Sequence, residues 1–260
     1  MGEFYLGVDI GSLTVKVVLI NTSGEIIGSG VKRAGFKGIE YATELRGRLL
    51  DEAGIALDQI VATVATGYGR LNFPADKEVS EISCQAKGIA HLFPDVKTII
   101  DIGGQDSKVI KLGLNGRIID FNMNDKCAAG TGRFLEVMAH ALEIKVEEIG
   151  ALALLATEVS SISSTCTVFA ESEVISHIAQ GSSLEGIVAG ICQSVAERVY
   201  ALARRINPEP VILLTGGVAL NEGVVKAVSK KFAANILVPP LPQITAALGA
   251  ALAAKSISED

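Results

Sequence analysis

Residues 8 to 18, Val-Asp-Ile-Gly-Ser-Leu-Thr-Val-Lys-Val-Val, and residues 100 to 110, Ile-Asp-Ile-Gly-Gly-Gln-Asp-Ser-Lys-Val-Ile, are copies of one another in register. The match continues at the same offset into Gly24-Glu25-Ile26-Ile27 and Gly116-Arg117-Ile118-Ile119, so a whole structural unit repeats. In each copy an apolar, β-branched run ends at Asp-Ile-Gly, passes a small or polar turn, resumes as a strand, and turns again at Gly24 or Gly116 into a third strand. That pattern is a β-meander with a carboxylate and a glycine at its first bend. Two such bends facing each other make a phosphate clamp, because glycine lets backbone N–H groups approach an anion while aspartate holds Mg²⁺ or a water.

The duplication sets the expected division: a first domain over 1–94, closed by the breaker Pro94-Asp95, and a second over 95–260. The last helix is free to pack back on the first domain. Helices are expected over Ile39–Ala53, Ser80–His91, from the loop 124–133 through Leu142, Val146–Ala156, Phe169–Ala179, Leu184–Ile206 and Ile244–Ala254. Strands are expected at Ile60–Ala65, Val211–Leu214 and Ile236–Val238. Strand, loop and helix alternate as in an α/β protein whose halves are mixed sheets carrying helices.

Composition narrows the ligands and partners. Hydrophobic residues make up 49% of the 260, yet no apolar stretch approaches the roughly 18 residues a spanning helix needs, so no membrane partner is expected. A net charge of −6 and the lack of any Lys/Arg-rich run argue against nucleic acid. Leu6 stands where a myristoylation signal requires Ser or Thr, and Glu3 spoils a secretory n-region, so a cytoplasmic protein is expected. Four cysteines are too few for a disulfide framework.

Glycine bends at Gly11, Gly103-Gly104 and Gly216-Gly217 each follow an apolar strand. Each is an ordinary tight turn when taken singly. Together, two Asp-Ile-Gly hairpins and a later Gly-Gly at a helix start resemble the layout of the actin-like ATPase superfamily. The resemblance implies two duplicated ribonuclease H-like domains with ATP or ADP in the cleft between them. It implies that Asp9 and Asp101 organise Mg²⁺ and the attacking water, and that Gly11, Ser12, Gly103 and Gly104 offer N–H groups. Lys16 would give the phosphates a point charge, and Gln105 is placed to position water. Gly216, Gly217, Asn221 and Gln243 fall to the nucleoside. The other reading of Lys16 and Lys108 is an edge-strand charge that deters aggregation.

The cysteines divide by context. Cys84 and Cys192 sit inside amphipathic helices, where a free cysteine acts as a small buried hydrophobe. Cys127 and Cys166 lie in polar loops at the start of a helix, where a reactive thiol or a metal ligand is plausible. Two cysteines cannot complete a four-thiolate iron–sulfur site, whereas a symmetric dimer supplies four. From chemistry alone, two unrelated structural cysteines remain the simpler reading.

Four passages bear a more specific resemblance: Thr66-Gly67-Tyr68-Gly69-Arg70, Ser83-Cys84, the run Asn124-Asp125-Lys126-Cys127-Ala128-Ala129-Gly130-Thr131-Gly132-Arg133-Phe134, and the run from Ile162 through Cys166 to Ser176. They are similar to the activators of 2-hydroxyacyl-CoA dehydratases, whose relatives serve benzoyl-CoA reductases. The resemblance implies a homodimer with one [4Fe–4S] cluster held by Cys127 and Cys166 of each subunit. It implies a reduced ferredoxin or flavodoxin as electron donor, and a dehydratase or reductase component as acceptor. ATP turnover would drive one electron to that acceptor at low potential, cleft closure moving the helix that Cys127 begins. A small-molecule kinase of the same superfamily is the alternative, with Asp125 as the available base. A non-catalytic actin-like assembly module would leave the cysteine loops unexplained.

Overall fold

The computed structural model describes residues 2–163 and 165–259; Ser164, within the second cysteine passage, lies outside them. The chain forms two compact units. The first contains the chain up to Val96, Leu112–Ile118, and everything from Gln243 onward; the second contains Lys97–Lys111 and Ile119–Pro242. No single point on the chain therefore divides them.

The first unit opens with the meander β1 (Phe4–Ile10), β2 (Thr14–Asn21) and β3 (Ile26–Arg33), followed by α1 (Gly38–Ala53), β4 (Ile60–Thr66), the short β5 (Lys77–Glu78) and α2 (Glu81–Leu92). The second begins with β6 (Thr98–Ile102), β7 (Ser107–Leu112) and β8 (Ile118–Asn124). Four helices follow, α3 (Gly132–Ala141), α4 (Glu148–Leu155), α5 (Thr167–Ala179) and α6 (Leu184–Ala203). Then come β9 (Ile212–Thr215), α7 (Glu222–Phe232) and β10 (Ile236–Leu237), and α8 (Thr245–Glu259) rejoins the first unit.

The two sheets are built alike, with strand orders β3-β2-β1-β4-β5 and β10-β9-β6-β7-β8. In each, the strand ending in Asp-Ile-Gly is central, antiparallel to the next strand of its meander and parallel to a later one, β4 or β9. The repeat thus extends beyond the meander into a parallel strand reached by a helical crossover. A single helix, α1, makes that crossover in the first unit, and α3 to α6 occupy it in the second. Because β2 and β7 are interior strands, the edge-strand reading of Lys16 and Lys108 does not hold.

Period-two alternation explains how the first sheet is covered. Leu6, Val8 and Ile10 of β1 join Ala42, Leu45 and Leu49 of α1 on one face. Tyr5 joins Ala247, Leu248 and Ala251 of α8 on the other. Gly7 faces that helix too, and a Cβ there would run into the Ala247 carbonyl and the Ala251 amide. Backbone contact at Gly7 lets α8 lie directly on the central strand. In the second unit one cluster joins Ile100, Ile102 and Val109 to Phe134 and Met138 of α3, Ile187, Ile191 and Val195 of α6, and Val224 and Val228 of α7. Each such burial is worth about 1.5–3 kcal/mol. Among the described residues no helix is long and apolar enough to cross a membrane.

Candidate functional site

Both Asp-Ile-Gly hairpins place their aspartate opposite a lysine and a threonine in the ladder. Asp9 pairs in register with Lys16 on β2 and Thr66 on β4, and Asp101 with Lys108 on β7 and Thr215 on β9. The parallel strand ends, each time, in Thr-Gly with the glycine at positive φ, +82° at Gly67 and +86° at Gly216. A Cβ on Gly67 would stand 2.5 Å from Asp9 Oδ1, and one on Gly216 2.6 Å from Asp101 Oδ1. Gly67 is therefore the counterpart of Gly216, a fourth glycine bend besides those at Gly11, Gly103-Gly104 and Gly216-Gly217, and the shared Thr-Gly after an apolar strand is its sequence signal.

The copies differ in charge. In the first, Lys16 Nζ lies 2.9 Å from Asp9 Oδ2. Asp9 is buried, and its Oδ1 has no hydrogen-bond partner among the described residues. A buried acceptor of this kind fits a cation or a bound water. In the second copy Asp106 replaces Thr14, and Lys108 is sealed between two carboxylates, 2.9 Å from Asp106 Oδ2 and 3.4 Å from Asp101 Oδ2. Lys108 is only 2% exposed, which makes it an internal counter-ion.

The bends spend some of their amides internally. Gly11 N–H donates to Thr14 O at 3.0 Å and Gly103 N–H to Asp106 O at 2.9 Å, closing the two turns. Neither amide is left for a ligand. Both glycines act by the space they leave, Gly11 for the Lys16 ammonium and Gly103 for the Asp106 carboxylate. The amides of Ser12, Gly104 and Gln105 donate to nothing among the described residues, and Gln105 is exposed at the apex. Gly216 N–H donates to Pro242 O at 3.0 Å, and Gly217 opens a short 3-10 turn to Leu220. Asn221 Oδ1 accepts from Val224 N at 3.0 Å as the cap of α7, committing that oxygen. Gln243, half-buried before α8, lies in the first unit.

The four thiols separate cleanly. Cys84 and Cys192 are sealed within α2 and α6, and burial pushes each thiol up to about 12. Cys127 and Cys166 are half-buried on loops of the second unit. Cys166 is the residue before α5, and its side chain makes no capping bond, so the sulfur is not spent on the helix. Cys127 does not begin a helix, contrary to expectation. Asn124 Nδ2 holds its carbonyl at 2.8 Å, Thr131 N–H and Oγ1 turn back onto Ala128 O, and Gly130 at φ +82° prevents helix until Gly132. Three bonds tie this segment to the β6–β7 hairpin: Gly132 N–H to Gly103 O at 2.9 Å, Arg133 N–H to Gly104 O at 2.8 Å, and Ser107 Oγ to Gly130 O at 2.6 Å.

Among the described residues no group of three or more Cys, His, Asp or Glu side chains is placed to hold a metal. One chain thus offers two accessible thiols, half the donors that a four-thiolate cluster would need. The helix that Cys166 precedes carries an outward apolar face, with Val168 66% and Phe169 63% exposed and Ile175 and Ile178 beside them. Asp125, the candidate kinase base, is ion-paired to Lys126 at 3.2 Å.

Over residues 6–254 the chain matches the BadF/BadG/BcrA/BcrD ATPase family. It is 50% identical over 250 residues to the activator of lactoyl-CoA dehydratase of Anaerotignum propionicum, covering 96% of each chain. The fold matches, with TM-score 0.93 and 47% identity, the activator of the 2-hydroxyisocaproyl-CoA dehydratase from Clostridium difficile with bound ADPNP, over 98% of this chain and 96% of that one. It also matches component A of the (R)-2-hydroxyglutaryl-CoA dehydratase of Acidaminococcus fermentans, with TM-score 0.96, 44% identity, and 99% and 100% coverage. The architecture is that of the actin-like ATPases, as the duplicated hairpins suggest.

Proposed function

The chain belongs to the BadF/BadG/BcrA/BcrD ATPase family, and we propose that it is the ATP-dependent activator of a 2-hydroxyacyl-CoA dehydratase or a related CoA-ester reductase. It acts as a homodimer that passes one electron at low potential to its partner enzyme, taking it from a reduced ferredoxin or flavodoxin in the cytoplasm. The observation that carries this reading is the segregation of the thiols: two are sealed in helices, and two stand accessible in the one unit whose crossover is enlarged.

In this proposal Asp9 and Asp101 would hold Mg²⁺, and Lys16 and Lys108 offset part of the carboxylate charge. The amides of Ser12, Gly104 and Gln105 donate to the phosphates, and the Gln105 side chain orients the attacking water. Gly216, Gly217, Asn221 and Gln243 serve the nucleoside, Asn221 through the amide nitrogen that capping leaves over. Cys127 and Cys166 of each subunit hold a [4Fe–4S] cluster, which when bound supplies one-electron chemistry at a potential set by nearby hydrogen bonds and solvent access. The three bonds between 130–133 and the β6–β7 hairpin support the coupling, because a shift of Gly103 and Gly104 on nucleotide turnover is delivered to the segment following Cys127.

Protein purified without oxygen is expected to be brown, bleached by dithionite, with about four iron atoms per dimer. Cys127→Ala and Cys166→Ala are expected to lose the iron while retaining Mg-ADP binding. A full four-iron cluster in either variant overturns the assignment.

A further inference from the structure

A cavity of about 180 Å³ lies beside the Cys127 loop, between the end of β8 and the last turns of α6. Its charged walls are Lys126, Arg198 and Arg205 against the single acid Asp125. That acid is already satisfied by Lys126. Neither guanidinium has a hydrogen bond or ion pair among the described residues, although both sit over the apolar lining of Met123, Val199 and Leu202. Two cations on a low-dielectric wall attract an anion more strongly than they would in open water. The Arg198 stem is held in place, for a Cβ on Gly130 would stand 2.7 Å from its Cγ. One carbonyl in the last turn of α6 is already bonded, since Asn122 Nδ2 donates to Leu202 O at 3.0 Å.

We infer that this cavity binds a small phosphate-class oxyanion, gripped by Arg198 and Arg205. The volume is ample for phosphate or sulfate, and the cationic lining is two guanidiniums and one ammonium with no stacking aromatic to hold a base. It is separate from the hairpin chemistry: Ser107 lines it, and on a strand the side chain of Ser107 points to the opposite face from Asp106 and Lys108. Asn124, Asp125 and Lys126, the three residues before Cys127, form one wall, so an occupant anchors the loop to α6. The inference stands whether or not Cys127 holds a cluster.

The test is calorimetric titration of inorganic phosphate into the protein saturated with Mg-ADPNP, whose third phosphate fills the position that phosphate would take at the nucleotide site. One saturable site per chain is expected, with acetate binding more weakly. Arg198→Gln and Arg205→Gln should each lower the affinity about tenfold, the loss of one charge-assisted contact. Hydrogen exchange over residues 124–131 should slow with phosphate in the parent and not in the variants. Arg205 is exposed, so its variant carries the test if Arg198→Gln does not fold. Absence of a saturable site, or equal phosphate affinity in the parent and the folded variants, overturns the inference.

Discussion

Replacing Gly216 by alanine separates two costs that usually travel together. The residue sits at φ +86° and ψ 178°, a region essentially restricted to glycine, where an L side chain is strained by about 1–3 kcal/mol. Its new Cβ would also meet the Ile102 carbonyl and lie 2.6 Å from Asp101 Oδ1, an overpacking that costs a further 1–3 kcal/mol or so. Gly181, in the same unit at φ +76°, has nothing within 4 Å of its Cβ position, so Gly181→Ala reports the cost of a positive φ without a close contact. The expected gap between the two variants is thus at least about 1–3 kcal/mol, the overpacking at Gly216. With a urea slope of about 2–3 kcal/mol/M, a gap of about 2 kcal/mol separates their midpoints by roughly 0.7–1 M by circular dichroism. Mg-ADP affinity should fall in Gly216→Ala only, because the contact moves the Asp101 carboxylate. If the two variants unfold within about 0.5 kcal/mol of each other, the close packing of Gly216 on Asp101 is refuted.

Lys108→Met should destabilise by about 3–5 kcal/mol, because it strands two buried carboxylates; adding Asp106→Asn should recover part of the loss in urea melts, and a double variant no better than the single one removes the proposed counter-ion role. The sealed thiols make stability fall with alkali: a raised pKa means the folded state keeps its protons while the unfolded chain loses them above about 8.5, so stability is full below that pH and is lost on the way to about 12. By pH 10 the loss is about 2 kcal/mol per thiol, and a Cys84→Ala/Cys192→Ala variant should show a flatter pH 8–10 profile than the parent. Phe169→Asp, on the outward face of α5, should convert a dimer to monomers by sedimentation with the helical dichroism retained; an unchanged dimer would place the self-contact elsewhere.

Much of this architecture was legible because the repeat carries its own register. Aligning Asp9 with Asp101 also aligns Lys16 with Lys108 and Gly24 with Gly116, and both meanders and the apolar β4 and β9 followed from alternation. Two features stayed out of reach for physical reasons. Local sequence shows where a strand lies and not whether it is an edge, so the burial of Lys108 depended on β8 covering β7. The equivalence of Gly67 and Gly216 was hidden by the crossover, 57 residues from Asp9 to Thr66 but 114 from Asp101 to Thr215, where four helices stand in place of one. At the site, aspartates and glycines were identifiable by type, yet which amides remain after a turn closes is a matter of geometry. The same holds for Cys127, where Gly130 delays the helix by five residues.

The return of α8 to the first unit has a consequence during synthesis. The strands β1 to β5 emerge first, but the helix that covers one face of their sheet begins at Thr245 and leaves the ribosome only after the whole second unit. At ordinary elongation rates the roughly 150 intervening residues take about 7–30 s. For that interval Tyr5, Val18, Ile20 and Val64 lack the apolar partners that α8 supplies in the finished fold. A chain that stalls or is clipped before Gln243 therefore exposes an uncovered sheet, ready for a chaperone or for another nascent copy, which makes α8 the quality mark of a finished first unit.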